Sequence, residues 1–174
     1  HCGSMSKVLS PGLRLGWLIA PAELLAKCVM CKQFRDAHPS PFTQATAAQY
    51  LKAGRMPATL ARVRTTYAAR SKAMGDALRS QLGDAVRFVQ PQGGMFIWVQ
   101  LTGANGQEKD GNALAKRAIE QGVAIVPGTP FFAQNPDSST LRLSFATADI
   151  PRIEEGMARL AKALLLTVAL LFSL

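Results

Sequence analysis

Apolar residues recur along this chain with two different periods, and the periods mark out its elements. From Pro57 to Leu82, the residues Leu60, Val63, Tyr67, Met74, Leu78 and Leu82 fall at three-, four- and seven-residue steps. That spacing predicts one face of a long helix, ended by Gly83. A second helix is predicted from Pro21 to about Phe34, with Glu23 near its positive end and Leu24, Leu25, Cys28 and Cys31 along it. His38-Pro39-Ser40-Pro41 breaks the pattern. Ser40 or Thr43 then caps a helix that runs to Ala53 and stops at Gly54. Asn112 to Gln121 reads as a short helix packing through Leu114, Ala118 and Ile119 and closed by Gly122. Asp149 caps the last helix, whose buried stripe is Ile153, Met157, Leu160 and Leu164.

Between the helices the pattern changes. Leu15 to Ala20 is a continuous apolar run ended by Pro21, which predicts a buried strand. Val86 to Gln90 predicts a short strand. After the Pro91-Gln92-Gly93-Gly94 turn, Met95 to Leu101 predicts a strand buried on both faces. Val123 to Val126 predicts another, leading into a rigid loop, Pro127 to Phe132. In Leu141-Arg142-Leu143-Ser144-Phe145, period two puts the three apolar residues on one face and Arg142 with Ser144 on the other. Thr102 to Gly111 is polar and Gly-rich, an exposed loop. Leu164 to Leu174 is apolar all round, yet shorter than the roughly 20 residues that cross a bilayer. It reads as an oligomer contact or as an end foreign to the rest of the chain.

The 174 residues are 48% hydrophobic, which suits a packed core and excludes a disordered chain. Net charge is +9, from 20 basic and 11 acidic residues. The basic residues are scattered, with Arg62, Arg64, Arg70, Lys72 and Arg79 on one helix, and no basic run exists. A solvated basic face is the reading, not a nucleic-acid surface. Three cysteines and no leader argue against a disulfide scaffold and for a reducing compartment. Cys28-x-x-Cys31 lies in a helical pattern, and two histidines are too few to complete a zinc site with it. No metal site is expected. The cysteines read as buried or half-buried thiols, and His38 as a loop histidine.

The chemistry-bearing stretch is Gly3-Ser4-Met5-Ser6-Lys7-Val8-Leu9-Ser10-Pro11-Gly12-Leu13-Arg14-Leu15-Gly16. Small hydroxyl residues and glycine let a backbone approach an anion, and an arginine fork closes on phosphate. A lysine amine is activated as a nucleophile by desolvation or by a neighbouring cation, here Arg14. This run resembles the lysine segment of fold-type I pyridoxal-phosphate (PLP) aminotransferases, in the branch of the 2-aminoadipate and kynurenine enzymes. Three further runs carry the resemblance: Gly93-Gly94-Met95-Phe96-Ile97-Trp98, Val126-Pro127-Gly128 with Phe131, and Leu141-Arg142-Leu143-Ser144-Phe145.

The resemblance implies an α/β chain matching only the C-terminal portion of that family. Residues 1–56 would be a remnant of the large PLP-binding domain, 57–82 an interdomain helix, 83–165 the small α+β C-terminal domain and 166–174 an atypical apolar tail. It implies that Lys7 forms the Schiff base with PLP, that Ser4, Ser6 and Arg14 hold the phosphate, and that Arg142 binds the substrate carboxylate. It further implies transamination between an amino acid and a 2-oxo acid, a cytoplasmic homodimer, and no nucleic-acid or membrane partner. The family's pyridine-nitrogen partner and ring-stacking aromatic lie upstream of the lysine. The isolated chain is therefore expected not to turn over, and to expose strand edges and apolar surface. Two other readings stay open: the aminotransferase-like effector domain of a transcription regulator, and a non-catalytic basic interaction domain.

Overall fold

The computed structural model describes residues 1–104 and 109–171. The chain divides into two compact units, His1–Val63 and Arg64–Leu174.

The first unit opens with a two-stranded antiparallel ribbon, β1 (Cys2–Ser4) and β2 (Gly16–Leu18), in which Gly3 pairs with Trp17 and Ser4 with Gly16. A Cβ at Gly3 would fall 2.1 Å from the Trp17 ring, so glycine is what lets that ring lie across β1. The predicted strand is therefore shorter than Leu15 to Ala20, and it is not buried. Trp17 is 41% exposed and Ile19 65%. A continuous apolar run implies burial only where a second layer covers both faces, and no such layer lies over β2 among the described residues of this unit.

Helix α1 (Ala22–Asp36) starts after Pro21 and is tied on its surface by Lys32 and Asp36, 2.8 Å apart. Leu24, Leu25, Val29, Met30 and Phe34 all remain exposed. Helix α2 (Pro41–Lys52) begins with Pro41, whose missing N–H is no loss in a first turn. Ser40 occupies the cap position, but its hydroxyl makes no capping bond; Thr43 Oγ1 instead donates to the Ser40 carbonyl at 3.0 Å. Ala47 is the one buried side chain among the described residues of this unit.

Helix α3 (Met56–Leu82) reproduces the long apolar stripe. In the second unit its buried residues include Met74, Leu78 and Leu82. They pack against one face of a four-stranded antiparallel sheet with the order β3-β4-β6-β5, made of β3 (Val86–Phe88), β4 (Phe96–Leu101), β5 (Val126–Pro127) and β6 (Thr140–Ser144). Helices α4 (Gly111–Glu120) and α5 (Ile150–Leu171) contribute to the same core. Its fully buried members are Phe145, Leu78, Ile97, Leu101, Leu114, Leu141, Leu160, Leu164 and Val99. Asp110 caps α4 by accepting the Asn112 N–H at 2.8 Å, and Asp149 caps α5 by accepting the Arg152 N–H at 3.1 Å.

Several expectations are corrected here. β4 is buried on one face only: Ile97, Val99 and Leu101 face the core while Trp98 and Gln100 are exposed. Its neighbours are antiparallel, and helices lie on one side of the sheet rather than both. The run Val123 to Val126 gives only a two-residue strand, with Ile125 buried in the core. On α4, Ile119 is 66% exposed and Ala115 takes the packing position. The basic face of α3 is not wholly solvated, because Arg70 Nη1 donates to the Ala146 carbonyl at 2.6 Å and Arg79 lies over the Phe88 ring. Cys28 is half-buried as read, but Cys2 and Cys31 are exposed. Part of the polar loop, 105–108, and the end of the apolar tail, 172–174, lie outside the described residues.

Candidate functional site

The β1–β2 ribbon sets the neck of the lysine segment. Met5 N donates to the Leu15 carbonyl at 2.9 Å, and the Leu9 and Ser10 N–H groups both return to the Met5 carbonyl, at 2.9 and 3.1 Å. Residues Ser4 to Arg14 thereby form a closed loop with Lys7 exposed upon it. Ser4 Oγ donates to the Leu15 carbonyl at 3.4 Å and accepts the Ser6 N–H at 3.1 Å. Ser4 thus shapes the loop with its own hydroxyl proton already committed. The Ser6 hydroxyl and the Lys7 amine have no hydrogen-bond partner among the described residues.

Arg14 sits at the end of the short Pro11–Leu13 turn with φ 52°, in the left-handed region. A non-glycine residue there costs about 1–3 kcal/mol and persists only where its surroundings hold it. Its N–H bonds to the Pro11 carbonyl at 3.4 Å, and its Nη1 reaches the same oxygen at 3.3 Å. The remaining guanidinium edge stays open.

Arg142 belongs to the second unit. On β6 it pairs with Trp98 of β4 on one side and with Val126 of β5 on the other, at the centre of the open face of the sheet. Its alternation with the buried Leu141 and Leu143 is as the sequence indicates. What the sequence did not indicate is its collar. The Phe96 and Phe131 ring centroids each lie 4.3 Å from its Cζ. Phe131 in turn meets Trp98 edge-on, with centroids 5.9 Å apart. It comes from the Thr129–Phe131 turn, which Gly128 lets approach the sheet: a Cβ there would fall 2.6 Å from Thr140 Cβ and 2.9 Å from the Trp98 ring. Phe131 closes the Val-Pro-Gly run already singled out. Phe96 lies in the Gly93-to-Trp98 run also singled out, but its place beside Arg142 depends on the β4–β6 register.

The collar leaves Arg142 Nε buried with no hydrogen-bond partner among the described residues. Two ring contacts contribute together about 1–4 kcal/mol, and an orphaned buried N–H costs about 1–3 kcal/mol. The two effects roughly cancel, so net stability does not account for the arrangement. Among the described residues the guanidinium makes no hydrogen bond or ion pair, which leaves its terminal Nη groups available to an anion.

The same open face carries a hollow of about 490 Å³ whose lining includes Arg87, Val89, Trp98, Gln100, Phe132 and Asp137. The Ser139 hydroxyl and N–H, with their hydrogen bonds, hold the Asp137 carboxyl below its usual range. His38 is a loop residue with Nδ1 3.0 Å from the Pro39 carbonyl, as expected. No group of three or more metal-ligating side chains occurs among the described residues, and no helix among them is long and apolar enough to cross a membrane.

Residues 1–160 match the family model for aminotransferase class I and II. The chain is similar to the 2-aminoadipate transaminase of Thermus thermophilus, with 44% identity over 164 residues that cover 94% of this chain and 40% of that protein. It is also similar to the crystal structure of LysN, an alpha-aminoadipate aminotransferase from Thermus thermophilus, solved complexed with N-(5'-phosphopyridoxyl)-L-leucine. That match has a TM-score of 0.88 and 42% identity, covering 97% of this chain and 42% of the other. The HTH-type transcriptional regulator TauR of Rhodobacter capsulatus is 36% identical over 94% of this chain and 33% of its own length. The chain spans about two fifths of the length of the aminotransferases it matches.

Proposed function

The chain belongs to the class I and II aminotransferase family, and we propose that it carries the lysine and carboxylate-binding segments of a PLP-dependent transaminase acting on an amino acid and a 2-oxo acid. The observation that carries this is the Ser4–Arg14 loop. It presents an exposed lysine, a hydroxyl without a partner among the described residues and an open guanidinium edge on one closed turn. That donor set fits a group bearing an aldehyde and a phosphate: the amine suits the aldehyde, while the Ser6 hydroxyl and Arg14 suit the dianion. PLP, when bound, supplies an electron sink for the carbanion formed at the substrate α-carbon.

The rest is the work of this chain's residues. Lys7 Nζ would hold the cofactor covalently and, once displaced by the substrate amine, would take the proton from the α-carbon and deliver it to the cofactor carbon that had carried the link. Ser6 and Arg14 hold the phosphate, and Ser4 fixes the loop that presents them. Arg142 binds the α-carboxylate through its Nη fork and so orients the α-proton. The dicarboxylic 2-aminoadipate on which a relative is named is one candidate substrate. A homodimer is the assembly proposed for the whole protein.

The test is reductive trapping. The purified chain is mixed with PLP, reduced with borohydride and mapped by peptide mass. Stoichiometric label on Lys7, lost in Lys7→Ala and weakened in Arg14→Ala, is the expected result. Label scattered over surface lysines in all three proteins overturns the cofactor role of this loop. Because a transcription regulator shares the same stretch of sequence, label on Lys7 establishes cofactor attachment. Turnover with an amino acid and a 2-oxo acid, measured on a protein containing this chain, then separates enzyme from effector.

A further inference from the structure

Four observations about Arg142 stand together. Its Cζ lies 4.3 Å from two ring centroids contributed by different segments, Phe96 on β4 and Phe131 in the turn after β5. Its Nε is buried and has no hydrogen-bond partner among the described residues. The Phe131 ring is itself braced edge-on by Trp98. The turn that delivers Phe131 comes so close to β6 that only glycine fits at position 128. A long, flexible side chain on the open face of a sheet would otherwise sample many rotamers.

We infer that Phe96 and Phe131 are positioning residues: together they clamp the Arg142 guanidinium, so that only its two Nη groups remain to grip a carboxylate end-on. The inference rests on the reading of Arg142 as the carboxylate site and deepens it. The rings touch the arginine rather than the carboxylate, and they act by removing freedom before the ligand arrives. The buried Nε has a consequence of its own. It closes off the side-on grip through Nε and one Nη that an unclamped arginine could also offer. A carboxylate meeting Arg142 therefore has one approach, which fixes the direction of the α-carbon behind it. Preorganisation of one long side chain is worth about three- to tenfold in affinity.

The experiment uses the whole chain, labelled at arginine with ¹⁵N, with the Arg142 resonances assigned by Arg142→Lys. Expected for the unaltered chain are an Arg142 Nε–H proton displaced by ring current, slow solvent exchange, and separate Nη signals from hindered rotation. Phe131→Leu and Phe96→Leu should each abolish the displacement and speed the exchange, while the amide spectrum of the sheet persists. Phe131→Tyr, which keeps the ring, should restore them. Titration with pyruvate should then show binding about three- to tenfold weaker in the two Leu variants than in the unaltered chain or Phe131→Tyr. An Nε–H at its unperturbed position in the unaltered chain, or one indifferent to both Leu substitutions, overturns the clamp even if Arg142 responds to pyruvate. A clamp signature that is present while pyruvate leaves Arg142 unmoved, with equal binding by Arg142→Lys, overturns the carboxylate reading and the positioning role with it.

Discussion

The two units contain similar kinds of sequence and end in opposite conditions. Arg64–Leu174 holds a sheet whose inner face meets α3, α4 and α5, and nine large side chains there are almost wholly withdrawn from solvent. His1–Val63 has two complete helices and a ribbon rich in Leu, Ile, Val, Trp and Phe, yet buries only Ala47 among its described residues. Hydrophobic content does not build a core by itself. Apolar stripes become a core where the chain supplies a second layer at the right distance, and the first unit supplies none of its own. The contrast also separates the two halves of the proposed chemistry. The lysine loop rides on the unit without a core, whereas Arg142 rides on the unit with one.

Substitution at the two extremes should widen that contrast most. Leu78→Ala, at a position with no exposure, should cost about 2–5 kcal/mol in the second unit. Phe34→Ala, at 87% exposure, should change the first by less than about 0.5 kcal/mol. Each unit holds one of the two tryptophans, Trp17 and Trp98, so denaturation followed in Trp17→Phe and Trp98→Phe backgrounds reads them separately. Equal losses would break the comparison.

Next in size is the pair of close-approach glycines. Gly128→Ala forces a Cβ against Thr140 and the Trp98 ring and should cost about 1–3 kcal/mol. Gly3→Ala meets the Trp17 ring at 2.1 Å, but that ring is part-exposed and can swing aside. Its effect should be a shift in Trp17 emission with a smaller change in the unfolding midpoint. Smaller again are the caps. Asp149→Ala should remove about 1 kcal/mol from the second unit. Ser40→Ala should change little, since the Ser40 hydroxyl makes no capping bond.

The gentlest probe is acid. The backbone N–H of Asn112, followed by its side chain, holds the Asp110 carboxyl below its usual value. A carboxyl depressed in the native state contributes stability that is complete above the unfolded value, about 3.9. That contribution is lost as pH falls through the lower native value. Stability of the second unit should therefore decline below about pH 4. Asp110→Asn, which can still cap, should flatten part of the decline in acid titrations followed through Trp98.

Where a signal was local and repeated, the sequence was readable. The stripe from Leu60 to Leu82 became α3 almost residue for residue, and the Ile153–Leu164 stripe became the buried face of α5. The alternation around Arg142 placed it correctly on the open face of its strand. Other features depended on partners that periodicity does not contain. Trp98 and Gln100 lie open because β4 has helices on one side only, a property of the layer arrangement and not of β4. Ile119 lost its packing position to Ala115 because α4 meets α5 and the sheet at a rotation its own stripe left ambiguous. In the site, the committed hydroxyl of Ser4 and the Phe96 side of the arginine collar both arise from pairing register, Ser4 with Gly16 and Phe96 with Ser144. Register is a relation between distant segments, and one segment does not spell it out.

The rims of the sheet have a consequence for how this protein fails. The two long strands, β4 and β6, lie inside, while the outer strands β3 and β5 run to three and two residues, and β5 contains Pro127. Fibrils grow when an extended, flat, donor-rich rim templates another chain. A rim this short, and on one side lacking an N–H at Pro127, offers no template. If the protein precipitates on heating, the deposits should form through the apolar helix faces of the first unit, amorphous and without the cross-strand repeat of amyloid.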